Sequence, residues 1–417
     1  MQTASFKEDS PGKLVRTEEK AWAFVPDPIP REILLEQETI CLLADADHAL
    51  GHLGGATGRL VNPFLVASPL LHREAILSSR IEGTITTPED LVLFEAGGRL
   101  KAGGRREDDA HEVANYMRAM QHGLKRLQEI PVCLRLIREL HAELLRGVRG
   151  ERERPGEFRA GQNYIAKEGQ AIHDARFVPP PAREMSKCLD DFEKYLNQDW
   201  KRTEGRSGSR RGLAGPPLLV RLALVHYQFE AIHPFRDGNG RIGRLLIPLL
   251  LCSHSRLREP LLYLSSYFER KREAYYDLLL RVSLDGDWAS WVQFFLRGVE
   301  ECSIESSEQA AGLLELRGKY HGMFQRARSS ALLLKLIDRL FQQPSVTRAQ
   351  AADYLDITAA SASSNINKLL QAGIVQERTG RKREQVFVAT EILDFMFVAG
   401  EPRGKRNASK ERAKTMA

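Results

Sequence analysis

The stretch HPFRDGNGRIGR, residues 233–244, places one histidine, one acid, three arginines and three glycines in twelve positions. A segment this polar cannot be core, yet LLVRLALVHYQFEAI (218–232) precedes it and LLIPLLLC (245–252) follows it. Sequence that is apolar nearly all round reads as a buried helix. The polar stretch is therefore predicted to be a loop clamped between two buried helices, the second starting near Asn239. Pro248 removes a backbone hydrogen bond from that second helix and predicts a bend there.

The loop has its own chemistry. Gly238, Asn239 and Gly240 can take backbone conformations that turn successive N–H groups toward one point. A helix beginning there adds its positive end. Arg241 and Arg244, three apart, share a helical face and can reach one anion. Asp237 can hold Mg²⁺, the usual companion of a polyphosphate. His233 titrates near neutrality and suits removal of a proton from a hydroxyl. Taken singly, each has a blander explanation as turn, solvated face or structural histidine. Together they describe a polyphosphate cradle with a base beside it, and so transfer of part of a nucleotide.

The remainder is mainly α. The 417 residues suffice for two or three domains. Residues 1–30 hold four prolines and read as an extended arm. Helical patterns begin near Arg31, and a charged glycine-rich break covers 96–108. Two further helices between Ala110 and Arg149 are separated at Ile130–Pro131, because the residue before proline avoids the α region. Residues 150–182 contain β-prone QNYI and ARFV around a turn and predict a β-hairpin, followed by a solvated loop at 201–217. The resulting boundaries are 1–109 for an N-terminal arm and helical region, 110–303 for a helical core and 304–330 for a connector. Residues 331–390 follow as a winged helix-turn-helix, and 391–417 as a basic tail.

Charge is +6 overall with a pI near 9.0, but RTGRKR (378–383) and the tail carry much of the excess. The five cysteines are scattered without metal-ligand spacing, and Cys133 and Cys252 read as buried thiols. No apolar run can span a bilayer. A soluble, cytoplasmic protein that does not enter membranes is expected.

The 233–244 stretch resembles the HxFx(D/E)GNGRxxR signature of the Fic family at every defined position. HYQFEAI before it, the PGEFR…QNYI…FVPPP segment, YFERKREAYYDLLLRVSLDGDW and NPFLVASPLLHREAILSSRIEGTITTPEDL are also similar to Fic proteins. The resemblance implies a helical Fic core that moves AMP from ATP to a Tyr, Thr or Ser hydroxyl of a target protein. Carried over, His233 is the base, Phe235 anchors the loop and Asp237 binds Mg²⁺. The phosphates fall to Arg236, Asp237, Gly238, Asn239, Gly240, Arg241, Ile242, Gly243 and Arg244. Tyr275 and Tyr276 match a tyrosine pair bordering the nucleotide, or else pack their helix. The hairpin over 162–178, with Gln162, Asn163, Tyr164 and Ile165, matches the family's flap, whose edge can take up an extended target segment.

SSRIEG (78–83) resembles the family's inhibitory motif through Ser78, Glu82 and Gly83. Its logic is competition: a carboxylate paired with Arg244 occupies the place of the γ-phosphate and misaligns ATP, where ~1 Å of displacement can cost ~100-fold in rate. In the C-terminal unit, Ser361, Ser363, Ser364, Asn365 and Asn367 lie on the second helix of a helix-turn-helix pattern, able to reach base edges. DNA, a docked protein and a second copy of the chain (a homodimer) all remain open as its partner. Two rivals stand beside adenylyl transfer: a DNA-binding regulator whose Fic core senses nucleotide, and a Fic enzyme with another nucleotide or with de-AMPylation activity.

Overall fold

The computed structural model describes residues 5–58, 60–97, 104–167, 169–198, 215–324, 330–381 and 383–397. It is mainly helical, with two small antiparallel sheets among the described residues. In chain order come β1 (Gly12–Arg16), β2 (Trp22–Pro26), α1 (Gln37–Thr57), α2 (Phe64–Ile81), α3 (Pro88–Glu95), α4 (Arg105–Arg126), α5 (Leu134–Leu144) and α6 (Ala182–Leu196). There follow α7 (Leu218–Ile232), α8 (Asn239–Ser253), α9 (Ser265–Arg270), α10 (Arg272–Asp285) and α11 (Trp288–Phe324). The chain closes with α12 (Ser330–Gln342), β3 (Ser345–Thr347), α13 (Arg348–Leu355), α14 (Ala359–Gln371), β4 (Gln376–Glu377), β5 (Val386–Val388) and α15 (Thr390–Phe397). Two compact units result, one of residues 1–54, 74–85 and 111–303, the other of 55–73, 86–110 and 304–417.

In the first unit α7 is central, buried from Leu219 to Ile232 except at Arg221 and Glu230. Helices α6, α8 and α10 pack on it. The buried indole of Trp291 donates to Ala223 O at 2.8 Å, so its bulk enters the core without an orphaned N–H. Helix α7 ends at His233, whose N–H closes on Phe229 O in the left-handed conformation (φ 50°, ψ 60°). Pro234 then forbids another turn. A non-glycine residue in that conformation costs ~1–2 kcal/mol and persists only where its surroundings hold it. Gly238 (φ 77°) caps α8, which runs unbroken through buried Pro248 to Ser253.

The expected arm at residues 1–30 is instead a β-hairpin, pairing Gly12 with Pro26 through to Arg16 with Trp22. Prolines 26, 28 and 30 end its second strand without preventing it. The Phe24 N–H donates to Val178 O at 2.9 Å. Ala21 and Ala23 bury against Ile172, Ala175 and Val178. The predicted hairpin at 162–178 meets at a single antiparallel pair, Ile165 with Phe177. Around it the chain is fixed by side chains rather than by a ladder. Cys188 and Cys302 are the fully buried thiols; Cys133, at the start of α5, and Cys252, near the end of α8, are half-buried.

The second unit has a core of Leu313, Tyr320, Leu336, Phe341, Val346, Ile366, Phe387 and Ile392, among others. Val92 of α3 belongs to it, which is why residues 86–110 fall in this unit. The strands order β3-β5-β4, all antiparallel. Helix α13 opens on a capping box between Thr347 and Gln350 and closes at Asp356; Thr358 caps α14. Residues 304–324, expected as a connector, continue α11. Residues 391–397, placed in the basic tail, are helical, because Ile392, Leu393 and Met396 bury one face of α15. The rest of that tail, most of the 201–217 loop and residues 98–103 of the glycine-rich break lie outside the described residues. Asn365, proposed to face outward, is buried, whereas Ser361, Ser364 and Asn367 are exposed on one side of α14.

Candidate active site

The turn from α7 to α8 opens on a cavity of about 800 Å³, within the range of small-ligand sites. His233, Arg236, Asp237, Gly240, Arg244 and Glu82 all line it. Two side chains, those of Asn239 and His141, fix this turn from below. The Asn239 amide accepts from Phe235 N and donates to Phe235 O, both at 2.8 Å. That amide clasps the loop, which commits its oxygen and one of its two N–H groups. His141 stacks on Phe235 with ring centroids 3.7 Å apart and 5° between planes. Its Nδ1 accepts from Gly156 N at 2.8 Å, which assigns the proton to Nε2 for Asp237 O at 3.0 Å. Burial pushes His141 down to about 4, so it stays neutral and keeps this tautomer.

His233 is half-buried, and its Nδ1 has no hydrogen-bond partner among the described residues. Burial and then the Arg159 charge press its pKa down to about 4, against the Glu230 carbonyl, Glu82 and Asp237. The imidazole is thus unprotonated at neutral pH and free to accept a proton. Glu230 shows the opposite response to the same cavity. Burial, and to a lesser degree Glu82, raise it to about 8 in spite of Arg244, so it is an uncharged acid at neutral pH.

Arg244 is almost fully enclosed and donates to Glu82 Oε1 at 2.7 Å, to Ser78 Oγ at 2.9 Å and to Ser78 O at 2.9 Å. Burial opposes its charge, but the Glu82 carboxylate outweighs that and raises it. Burial would likewise raise Glu82, yet Arg244, Arg241 and His233 hold its carboxyl below the usual range. Glu82 follows the end of α2, where Gly83 turns the chain at φ 91°. A Cβ at Gly240 would collide with Glu82 Oε1 and come within 2.9 Å of Arg244 Nη1. The carboxylate therefore sits directly over the start of α8.

The sequence-derived residues do not all reach the cavity. Arg241 is buried, with Nη1 3.4 Å from Glu112 Oε2 and Nη2 3.5 Å from Asp237 Oδ2. Glu112 also accepts from Arg149 at 2.7 Å and Thr84 at 2.8 Å. Arg241 thus serves the site through Asp237. Ile242 is core, and Gly243 makes room for the Glu230 carboxyl and Phe229. Tyr275 is buried with its hydroxyl 2.8 Å from His226 Nε2, whereas Tyr276 stays half-buried, and both line the cavity. In the flap, Gln162 donates to Pro179 O at 2.9 Å and Asn163 to Phe235 O at 3.2 Å, so both anchor it. Tyr164 and Ile165 stand exposed on the cavity.

Asp237 is half-exposed at the cavity. A single carboxylate fits Mg²⁺ that keeps water and phosphate oxygens as its other ligands, and among the described residues no cluster of three or more His, Cys, Asp or Glu could cage an ion alone. Sequence reasoning missed His141, Glu112, Glu230 and Arg159. The first two carry no spacing signal, since their partners are distant in the chain.

Fold and site define a helical protein whose cavity sets a buried arginine and the start of a glycine-capped helix beside an uncharged histidine. Residues 40–125 match the Fic/DOC family N-terminal region and residues 131–251 the Fic/DOC family domain. The chain belongs to this family. It is 28% identical over 225 residues to a protein named protein adenylyltransferase Fic from Drosophila yakuba, covering 54% of this chain and 38% of that one. The corresponding Drosophila grimshawi protein is 29% identical, with 54% and 39% covered. The match thus spans about two fifths of the length of these relatives. A Fic family protein from Desulfovibrio desulfuricans superposes with a TM-score of 0.54 at 20% identity, over 86% of this chain and 98% of that one, and so shares the fold. No described helix is long and apolar enough to cross a membrane.

Proposed function

We propose that this chain is a protein adenylyltransferase that moves AMP from ATP to a hydroxyl side chain of a target protein and is restrained by Glu82. The observation that carries this reading is the Glu82–Arg244 pair at 2.7 Å over Gly240, on the cavity that His233 also lines. A carboxylate held there by a buried guanidinium marks an anion site, and a triphosphate must displace it to align for transfer. The similarity to proteins named adenylyltransferases points to the same transfer.

In this reading the neutral His233 takes the proton of the target hydroxyl. The oxygen attacks the α-phosphorus and the bond to pyrophosphate breaks, with Arg244 balancing the charge on the departing group. Asp237 would hold Mg²⁺, which supplies further neutralisation of polyphosphate charge. Tyr164 and Ile165 offer the exposed edge beside which an extended target segment lies. The test is intact-mass analysis of Glu82→Gly protein after incubation with ATP and Mg²⁺. A gain of one adenylate that disappears in Glu82→Gly/His233→Ala is expected, and no gain in either rejects the reading.

A second reading concerns residues 331–390, which we take as a winged helix. Ser361, Ser364 and Asn367 share an exposed face of α14, and Arg381 and Arg383 are exposed on the β4–β5 hairpin. That arrangement favours DNA as its ligand. A salt-sensitive mobility shift with duplex DNA, lost in an Arg381→Ala/Arg383→Ala variant, is the expected result; salt-insensitive or absent binding rejects it.

A further inference from the structure

Arg159 is buried to 4% exposure, and among the described residues no carboxylate pairs with it. Its guanidinium is instead ringed by main-chain carbonyls. Nε donates to His233 O at 2.9 Å, Nη1 to Gly161 O at 3.1 Å, and Nη2 to Pro180 O at 2.6 Å and Ile232 O at 3.4 Å. Its own N–H donates to Pro234 O at 2.9 Å. Gly161 and Pro180 bracket the flap, whereas Ile232, His233 and Pro234 form the turn that presents the imidazole. One side chain thus holds both ends of the flap and the strained backbone of His233.

Resting on the functional reading above, we infer that Arg159 is the positioning residue that registers the flap, and the target hydroxyl it presents, to the imidazole of His233. A carboxylate there would cancel the charge; carbonyls take four of the fork's five donors and leave the charge in place. Burial, helped by Arg236, lowers Arg159 only to about 10, so it remains a cation at neutral pH. That cation opposes protonation of His233. The other groups facing the ring act the opposite way: the Glu230 carbonyl, Glu82 beyond the end of α2 and Asp237 of the loop all favour the imidazolium. Arg159 therefore contributes both geometry and charge to the same base.

The two contributions separate in two variants made in the Glu82→Gly background. Arg159→Gln removes the charge; Arg159→Lys keeps it and loses the fork. Titration of labelled histidine by NMR, with His233 assigned through its own substitution, reads the charge without needing turnover. In Arg159→Gln the His233 midpoint should rise above that of the Glu82→Gly parent toward its ordinary 6.5, and the acid limb of self-modification should rise with it. In Arg159→Lys the midpoint should stay low while self-modification with labelled ATP slows about 100-fold, the scale of a ~1 Å misplacement. A purely structural residue would lower rates at every pH without moving the limb. An unmoved midpoint in Arg159→Gln, or a parental rate in Arg159→Lys, overturns the inference. Should Arg159→Gln not fold, Arg159→Lys decides the positioning claim alone. If the parent attaches no adenylate at all, the functional reading falls and takes the catalytic claim with it, whatever the titration shows.

Discussion

The loop at 233–240 and the flap at 161–178 face each other across one cavity and are built in opposite ways. Asn239 ties the loop to Phe235, His141 stacks beneath it and bonds Asp237, and Arg159 grips its entry. The flap is fastened at its base by Arg159, Gln162 and Asn163, and among the described residues its strand pairing is the one bridge at Ile165. Tyr164 and Ile165 are left 41% and 38% exposed. The difference maps onto the two substrates proposed. A polyphosphate has one shape and rewards a preformed cradle, whereas a protein segment brings its own backbone and can complete an unfinished strand.

The contrast can be broken by experiment. Its largest expected effect is on the loop side: His233→Ala should lower adenylate transfer by about 10³-fold, within the span of general-base contributions. Quench-flow with labelled ATP reads this, and a loss under tenfold would remove His233 from the chemistry. The wild-type rate should also be flat from neutrality down to the region of pH 5, since His233 stays unprotonated until about 4. Next, Glu82→Gly should accelerate transfer about 100-fold by clearing Arg244, and unchanged labelling would make the ion pair merely structural.

His141→Ala should cost about 2–3 kcal/mol, because it strands Gly156 N and Asp237 O and opens a hole under Phe235. Chemical denaturation measures that loss; a value below about 1 kcal/mol would mean the loop holds itself. The smallest effect belongs to the flap. Tyr164→Ala should weaken acceptor use only about threefold, the scale of one partly exposed contact, with ATP affinity untouched. An equal loss of ATP affinity would show that the flap is part of the cradle after all.

The loop was legible in the sequence because its parts are contiguous and its flanks are apolar without interruption. The Glu82–Arg244 contact bridges 162 positions, and only the resemblance of SSRIEG to an inhibitory motif brought it forward. His141 and Glu112 left no such trace, and Arg159 lay in PGEFR, where the resemblance marked the segment but no role for the arginine. Each acts on backbone or on a partner distant in the chain, and periodicity carries no record of that. Asn365 misled because position on a recognition-type helix does not say whether a side chain turns to solvent or to core. The β1–β2 hairpin was obscured by proline density, which marks where strands stop as well as where they are missing.

Gly240 has a consequence beyond its backbone. The void left by its missing methyl is where Glu82 lodges, so a residue on α8 decides whether a residue beyond the end of α2 fits at all. Drift at this one position toward any larger side chain would evict the glutamate without touching the segment that bears it. On the function proposed above, restraint and catalysis share a lock whose keyhole lies in one stretch of sequence and whose bolt lies in another, and neither stretch can change shape alone.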